Sequence, residues 1–410
     1  MKVAFLSLGC KVNQAEIASM EGAARSKGHE VVSLEDSPEL CIINTCTVTA
    51  KSDYQSRQLI RRAHRAGAEV LVTGCYSELN KDSVRAMPGV KEVIGNKEKL
   101  NYINSLIGNN ESHFSNSNGR ARYTLKVQDG CNSACSYCII PKARGKSRSI
   151  PIEEAVLRVK NAVEKGYKEV ILTGIHLGQY GHGGEGPISR LLEELLEKTD
   201  IARLRLSSLE VNEIDERLLG LFKNERLCRH LHVPLQSGDD SILRAMNRKY
   251  TTQYFIERIT AVTKMYPGIA LGTDVIAGFP WEGEKEFNNT YTVLESLPFT
   301  YIHVFPYSPR PGTLASEMTQ KVSQAEKSGR CMRIRSLSER KRGGYMKSHI
   351  SQTLDVLIEE RVSDMLYRGT SSNYLKVEVT GEDCQPGRLV RVRVRAMKDN
   401  SLLGIHEKPS

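Results

Sequence analysis

The sequence predicts an α/β protein in three parts, on three observations. Residues 1–107 alternate short apolar runs with longer polar, helix-favouring stretches, the pattern of a parallel sheet flanked by helices. From residue 122 six strand candidates recur with helices between them, as in a partial (β/α)6 barrel. After about residue 352 short strands and turns take over, as in a small β-barrel. The expected units are an N-terminal α/β parallel-sheet domain over 1–110, a central barrel domain over 120–345 and a β domain over 346–410. At 410 residues the chain exceeds what one hydrophobic core usually organises, which agrees with several domains.

In the first part the strand candidates are VAFLSL, LCIIN and VLVTG, and each leads into a cysteine: FLSLGC ends at Cys10, CIINTC at Cys46 and LVTGC at Cys75. In a parallel sheet the carboxyl ends of such strands lie along one edge, where α/β folds bind ligands, so the three thiols are expected to converge there. Three converging thiolates can hold three irons of a cluster and leave one open; buried, inert cysteines are the alternative. The Asn/Ser-rich stretch NNESHFSNSNGR, residues 109–120, reads as a linker.

The barrel candidates are RYTLKVQ, EVILTG, ARLRLSS, HLHVPL, IALGTDVIAG and YIHVFPYS. Chemistry in such barrels sits at the carboxyl ends of the strands. Directly after the first of them comes GCNSACSYC, carrying Cys131, Cys135 and Cys138. A closed zinc site takes four protein ligands, yet no fourth Cys or His follows within the next thirty residues. The C-x3-C-x2-C spacing suits three irons of a [4Fe-4S] cluster whose fourth iron takes a ligand from outside the protein. Zinc binding and a chance trio of buried cysteines remain as alternatives. Cys41, Cys228, Cys331 and Cys384 lack either pattern and are assigned structural roles.

In the third part LDVLIEE, YLKVEVT, RLVRVRVRAM and SLLGIH are the strand candidates. Alternation in RLVRVRVRA puts Val390, Val392 and Val394 on one face and Arg391, Arg393 and Arg395 on the other. That basic face is either a solvated strand surface or a stripe that contacts phosphates.

Charge supports a polyanionic partner. The formal net charge is +10, and residues 321–350 carry nine Lys or Arg against two acids. KARGKSR, residues 142–148, adds four basic residues unopposed in sequence, and Lys51, Arg57, Arg61, Arg62 and Arg65 face only Asp53. Solvated helix faces are the competing reading. No run approaches the roughly eighteen apolar residues of a membrane span, and MKVAFLSLG lacks a signal-peptide cleavage site, so a cytoplasmic location without a membrane partner is expected. Ten cysteines there argue for metal or redox chemistry over disulfides.

The stretches GCKVNQ (9–14), INTCTVT (43–49), TGCY (73–76), QDGCNSACSYCIIPKARG (128–145), TGIHLG (173–178), RLSSLE (205–210), HVPLQSG (232–238) and SPRPGT (308–313) resemble the radical SAM methylthiotransferases. The resemblance runs from residue 1 to about residue 400, and the C-terminal part is similar to a TRAM domain, a small RNA-binding barrel. It implies two [4Fe-4S] clusters and S-adenosylmethionine (SAM). Cys131, Cys135 and Cys138, with the aromatic Tyr137, would hold the cluster that makes a 5′-deoxyadenosyl radical; Cys10, Cys46 and Cys75 would hold the one that carries sulfur. Implied SAM contacts are Thr173, Gly174, Ser208, Glu210 and Gly278.

GCKVN resembles the MtaB-type branch, which acts on N6-threonylcarbamoyladenosine (t6A) beside the tRNA anticodon. Lys11 and Asn13, with Arg391, Arg393 and Arg395, are then the expected RNA contacts. Implied partners are a tRNA anticodon stem-loop carrying t6A, an electron donor such as flavodoxin or ferredoxin, and a sulfur source. The target adenine is expected to leave its stack for the cleft between the first two domains. Competing readings are the isopentenyl-adenosine branch, the ribosomal-protein branch, and a non-catalytic protein that binds zinc and RNA. Two positions depart from the family pattern: Ala15 replaces a usual aromatic, and Trp281 a usual glycine.

Overall fold

The computed structural model describes residues 1–107, 121–182 and 184–407; the linker expected over 109–120 lies outside them. Five strands, β1 (Lys2–Ser7), β2 (Glu30–Val32), β3 (Leu40–Thr45), β4 (Glu69–Gly74) and β5 (Val90–Val93), form a parallel sheet in the order β2-β1-β3-β4-β5. β3 is buried along its whole length, as a central strand covered on both faces must be. Its period of two sends Ile43, with Val72, to one core beside Ile60 of helix Ala50–Arg65. Ile42, with Leu71, goes to a second core beside Ile17 and Met20 of helix Lys11–Ser26.

The central part contains all six expected strands: β6 (Arg122–Lys126), β7 (Glu169–Thr173), β8 (Arg203–Leu206), β9 (His230–His232), β10 (Ala270–Ala277) and β11 (Tyr301–Pro306). They form two three-stranded parallel sheets, β8-β7-β6 and β9-β10-β11. One core, including Leu125, Leu172, Leu206, Leu231, Leu271 and Ile302, spans both sheets, so they act as the wall of one open barrel.

Helix Gln324–Lys347 follows, its first turn closed by a reciprocal box between Ser323 and Glu326. It leads to a closed antiparallel-rich barrel of β12 (Thr353–Ser363), β13 (Leu366–Ser371), β14 (Lys376–Thr380), β15 (Leu389–Lys398) and β16 (Ser401–His406), in the order β12-β13-β14-β16-β15. Val390, Val392 and Val394 point into its core, while Arg391 and Arg395 are exposed and Arg393 is half-buried.

Two features differ from the sequence reading. Much of the local positive charge is opposed by acids distant in sequence: Arg330, Arg333 and Arg340 of the basic helix pair with Glu282, Glu284 and Glu295. In KARGKSR, Arg144 and Arg148 both pair with Asp129. At Trp281 the backbone φ is +70°, a region that disfavours side chains and that glycine adopts freely. Ala15 sits on the buried face of its helix. No helix among the described residues is long and apolar enough to cross a membrane.

Candidate active site

Because β1, β3 and β4 are neighbours in the sheet, their carboxyl ends bring Cys10, Cys46 and Cys75 to one edge. Cys46 and Cys75 are each 4% exposed, whereas Cys10 is exposed. The three act on one another: burial pushes the Cys46 thiol up, and proximity to Cys10 and Cys75 adds to the rise. Gly9 has φ +96°, and a Cβ built on it would lie 2.6 Å from the Cys46 sulfur, so only glycine lets the Cys10 turn pass so close to that thiol.

Asn13 corrects the sequence reading. It is 1% exposed, and its amide donates to the carbonyls of Leu8 at 2.8 Å and Thr45 at 3.0 Å. It ties the Cys10 and Cys46 turns together from inside, and so it does not face RNA.

The other half of this support comes from the central part. Arg144, 1% exposed, donates from Nε to the Cys75 sulfur at 3.2 Å and from Nη2 to Asn13 Oδ1 at 2.5 Å. Its Nη1 reaches Glu16 Oε1 and Asp129 Oδ1, both at 2.9 Å. Glu16 also takes Lys99 at 2.5 Å and Lys126 at 2.9 Å. Burial opposes charge on Glu16, but the three cations outweigh it and hold that carboxyl well below its usual range. Burial likewise opposes the Arg144 cation, and Glu16, Cys75 and Asp129 outweigh it. In the sequence alone Arg144 reads as one of the unopposed basic residues of KARGKSR. A signal was present: Glu16 falls in an i, i+4 stripe with buried Val12 and Met20, where an acid needs a buried partner.

Cys131, Cys135 and Cys138 line one cavity of about 290 Å³ together with Tyr137, Ser208 and Glu210. The Cys131 sulfur lies 3.4 Å from His176 Nδ1, and His176 Nε2 lies 2.5 Å from Glu213 Oε1. Burial raises the Cys131 thiol, yet hydrogen bonds from His176 and Ser133 outweigh it and hold it below its ordinary value. Arg248 donates to the Cys135 sulfur at 3.3 Å and pairs with Glu210. At Cys138 burial dominates and pushes the thiol up to about 12, so its thiolate needs a cation beside it. Among the described residues no three His, Cys, Asp or Glu side chains close on a point that would hold one metal ion. A four-iron cube is larger than one ion, and thiols set around a shared cavity suit it.

Of the expected SAM contacts, Tyr137, Ser208 and Glu210 reach this cavity. Thr173 and Gly174 line an adjoining one, which shares Ser208 with the first, and the Thr173 carbonyl accepts the Val127 N–H at 3.0 Å with one lone pair left over. At Gly278 the N–H donates to Glu282 at 2.7 Å, and a Cβ there would lie 2.4 Å from Cγ of Lys327, so glycine also serves close packing against the long helix.

Two further cavities adjoin the first. One, of about 340 Å³, is lined by Cys10, Lys11, Ser207, His230, Tyr301 and Tyr374 among others. The other, of about 410 Å³ and richer in apolar groups, includes Cys10, Tyr137, Cys138, Phe305 and Arg310. Asp274 borders all three. Cys10 of one thiol set and Cys138 of the other therefore face the same space. Tyr374, from the C-terminal barrel, stacks on His230 with ring centroids 4.4 Å apart, a contribution no sequence pattern announced.

Residues 125–294 match the family model of the Radical SAM superfamily, and residues 2–95 match that of the uncharacterized protein family UPF0004. The chain is 36% identical to the threonylcarbamoyladenosine tRNA methylthiotransferase MtaB of Bacillus subtilis, over 96% of this chain and 93% of that protein. To the MtaB of Aquifex aeolicus it is 37% identical, over 96% of this chain and all of the other. A tRNA-2-methylthio-N(6)-dimethylallyladenosine synthase of Campylobacter curvus is 30% identical over 98% of each chain. Among solved structures, the radical S-adenosylmethionine methyltransferase TsrM of Kitasatospora setae shares the fold, with a TM-score of 0.57 at 15% identity over 77% of each chain. The chain belongs to the radical SAM methylthiotransferase family.

Proposed function

We propose that this protein replaces the C2 hydrogen of t6A beside the tRNA anticodon with a methylthio group. The observation that carries the reading is the shared space between two cysteine trios, bordered by Cys10 on one side and Cys138 on the other. Cys131, Cys135 and Cys138 hold one [4Fe-4S] cluster, and Cys10, Cys46 and Cys75 hold the second. When bound, SAM and the two clusters supply a 5′-deoxyadenosyl radical that removes the C2 hydrogen and a methylated sulfur that takes its place.

The chain's own residues set the conditions for that exchange. Glu210 and Ser208 offer polar contacts to SAM, and Arg248 fixes Glu210 while donating to the Cys135 sulfur. Arg144 anchors the Cys75 turn to the barrel, and Lys126 on Glu16, Asn96 on the Ala143 carbonyl and Arg310 on Asp53 tie the same two parts together beside it. Apolar walls from Ile276, Phe305 and Tyr137 limit water around the reacting carbon.

In this reading residues 1–110 carry the sulfur-bearing cluster, 120–345 carry the radical chemistry, and 346–410 form a TRAM-like module that grips the anticodon stem-loop in the cytoplasm. A reduced flavodoxin or ferredoxin supplies electrons, and a separate donor replaces the sulfur. The test is direct: anaerobically reconstituted protein with SAM, reductant and a t6A stem-loop yields 2-methylthio-t6A. Product on an isopentenyl-adenosine stem-loop alone would overturn the substrate assignment, and product on neither RNA would redirect it to a protein.

Arg391, Arg393 and Arg395 supply phosphate contacts from the outer face of β15. Replacing all three by alanine weakens stem-loop binding and reduces the slope of log affinity against log salt by about 2. An unchanged slope would leave the stripe as a solvated strand face.

A further inference from the structure

The cavity bordered by Lys11 is built unlike its neighbours. Among the described residues the Lys11 ammonium has no hydrogen bond or ion pair; it lies over the Tyr374 ring, 5.7 Å from the centroid. Two residues of the same lining each carry a buried polar atom without a partner: Ser207 Oγ, on a residue 8% exposed, and His230 Nδ1, on a residue 2% exposed. His230 is held from its other nitrogen, which lies 2.7 Å from the Tyr301 hydroxyl. The Tyr301 ring in turn lies against Gly272, where a Cβ would come within 2.0 Å of it. The one acid in the lining, Asp274, is paired with His232 at 3.0 Å.

A cation and two unsatisfied polar groups in one enclosure call for an anionic ligand with hydrogen-bonding capacity. Resting on the t6A reading, we propose that this cavity receives the threonylcarbamoyl substituent, with Lys11 pairing its carboxylate and Ser207 and His230 completing its hydrogen bonds. Cys10 and Asp274 border both this cavity and the more apolar one, so a purine in the latter can extend its N6 group into the former. An isopentenyl group has no charge and no donor or acceptor, and would leave all three protein groups unpaired. The cavity therefore selects by what a wrong substrate fails to satisfy. Tyr374 makes this subsite depend on the C-terminal barrel as well as on the first two parts.

The experiment uses reconstituted full-length protein and three anticodon stem-loops: one with t6A, one with its methyl ester, and one with isopentenyl-adenosine. For the wild type, kcat/KM and affinity for t6A exceed those for the ester by about tenfold or more, the effect of one charge-assisted hydrogen bond. In Lys11→Met the acid-to-ester ratio falls to near one, and in Lys11→Arg it is largely retained. A wild type that treats acid and ester alike, or a Lys11→Met variant that keeps the ratio, overturns the subsite. The wild-type comparison stands whether or not Lys11→Met retains its neighbouring cluster. Product on the isopentenyl stem-loop alone overturns the t6A reading itself, and the subsite with it.

Discussion

Arg144→Met destabilises the protein by about 3–5 kcal/mol and strips iron from the N-terminal cysteine set. The magnitude follows from leaving Glu16 and Asp129 buried beside a missing cation, where breaking a buried pair costs far more than a surface one. The loss of iron follows from geometry: Cys75 and Asn13 each lose a donor, and Asn13 spans the Cys10 and Cys46 turns. Arg144→Lys keeps the charge but cannot present three nitrogens to four acceptors, so its loss is intermediate. Urea unfolding gives the first quantity, and iron per chain falling from about eight toward four gives the second. A variant of wild-type stability with full iron would show that the network carries neither load.

The second large effect separates the two cysteine sets. Replacing Cys10, Cys46 and Cys75 by alanine abolishes the methylthio product, a loss of at least about a thousandfold, while reductive cleavage of SAM to 5′-deoxyadenosine persists. Replacing Cys131, Cys135 and Cys138 abolishes both. The sets sit on different sheets and share a cavity without sharing a ligand, so each can be emptied while the other remains. Chromatography of SAM products beside nucleoside analysis reads both activities from one reaction. Full product formation by the N-terminal triple variant would remove the second cluster from the account.

Features set by local pattern were legible before the structure. The three strand-then-cysteine repeats marked one sheet edge because apolar runs separated by helical spacers imply parallel strands, whose carboxyl ends share an edge; the strand order itself was not legible. The alternation of valine and arginine in β15 survived intact because a closed barrel needs one apolar face. What local pattern hid was long-range pairing. Arg144 looked like surface charge because Glu16 lies 128 residues earlier, and Tyr374 reads only as the first residue of the strand candidate YLKVEVT because its partner His230 belongs to another sheet. Asn13 was misassigned for a related reason: a motif identifies a residue that matters without telling whether it faces ligand or holds the turn that does.

Mass spectrometry of tRNA nucleosides tests most directly for the methylthio product. In cells lacking their own enzyme of this type, expression of this protein converts t6A to 2-methylthio-t6A, and expression of the Cys10, Cys46 and Cys75 triple variant does not. If t6A stays unmodified while 2-methylthio appears on isopentenyl-adenosine, or on no nucleoside, the substrate assigned to this cavity is wrong.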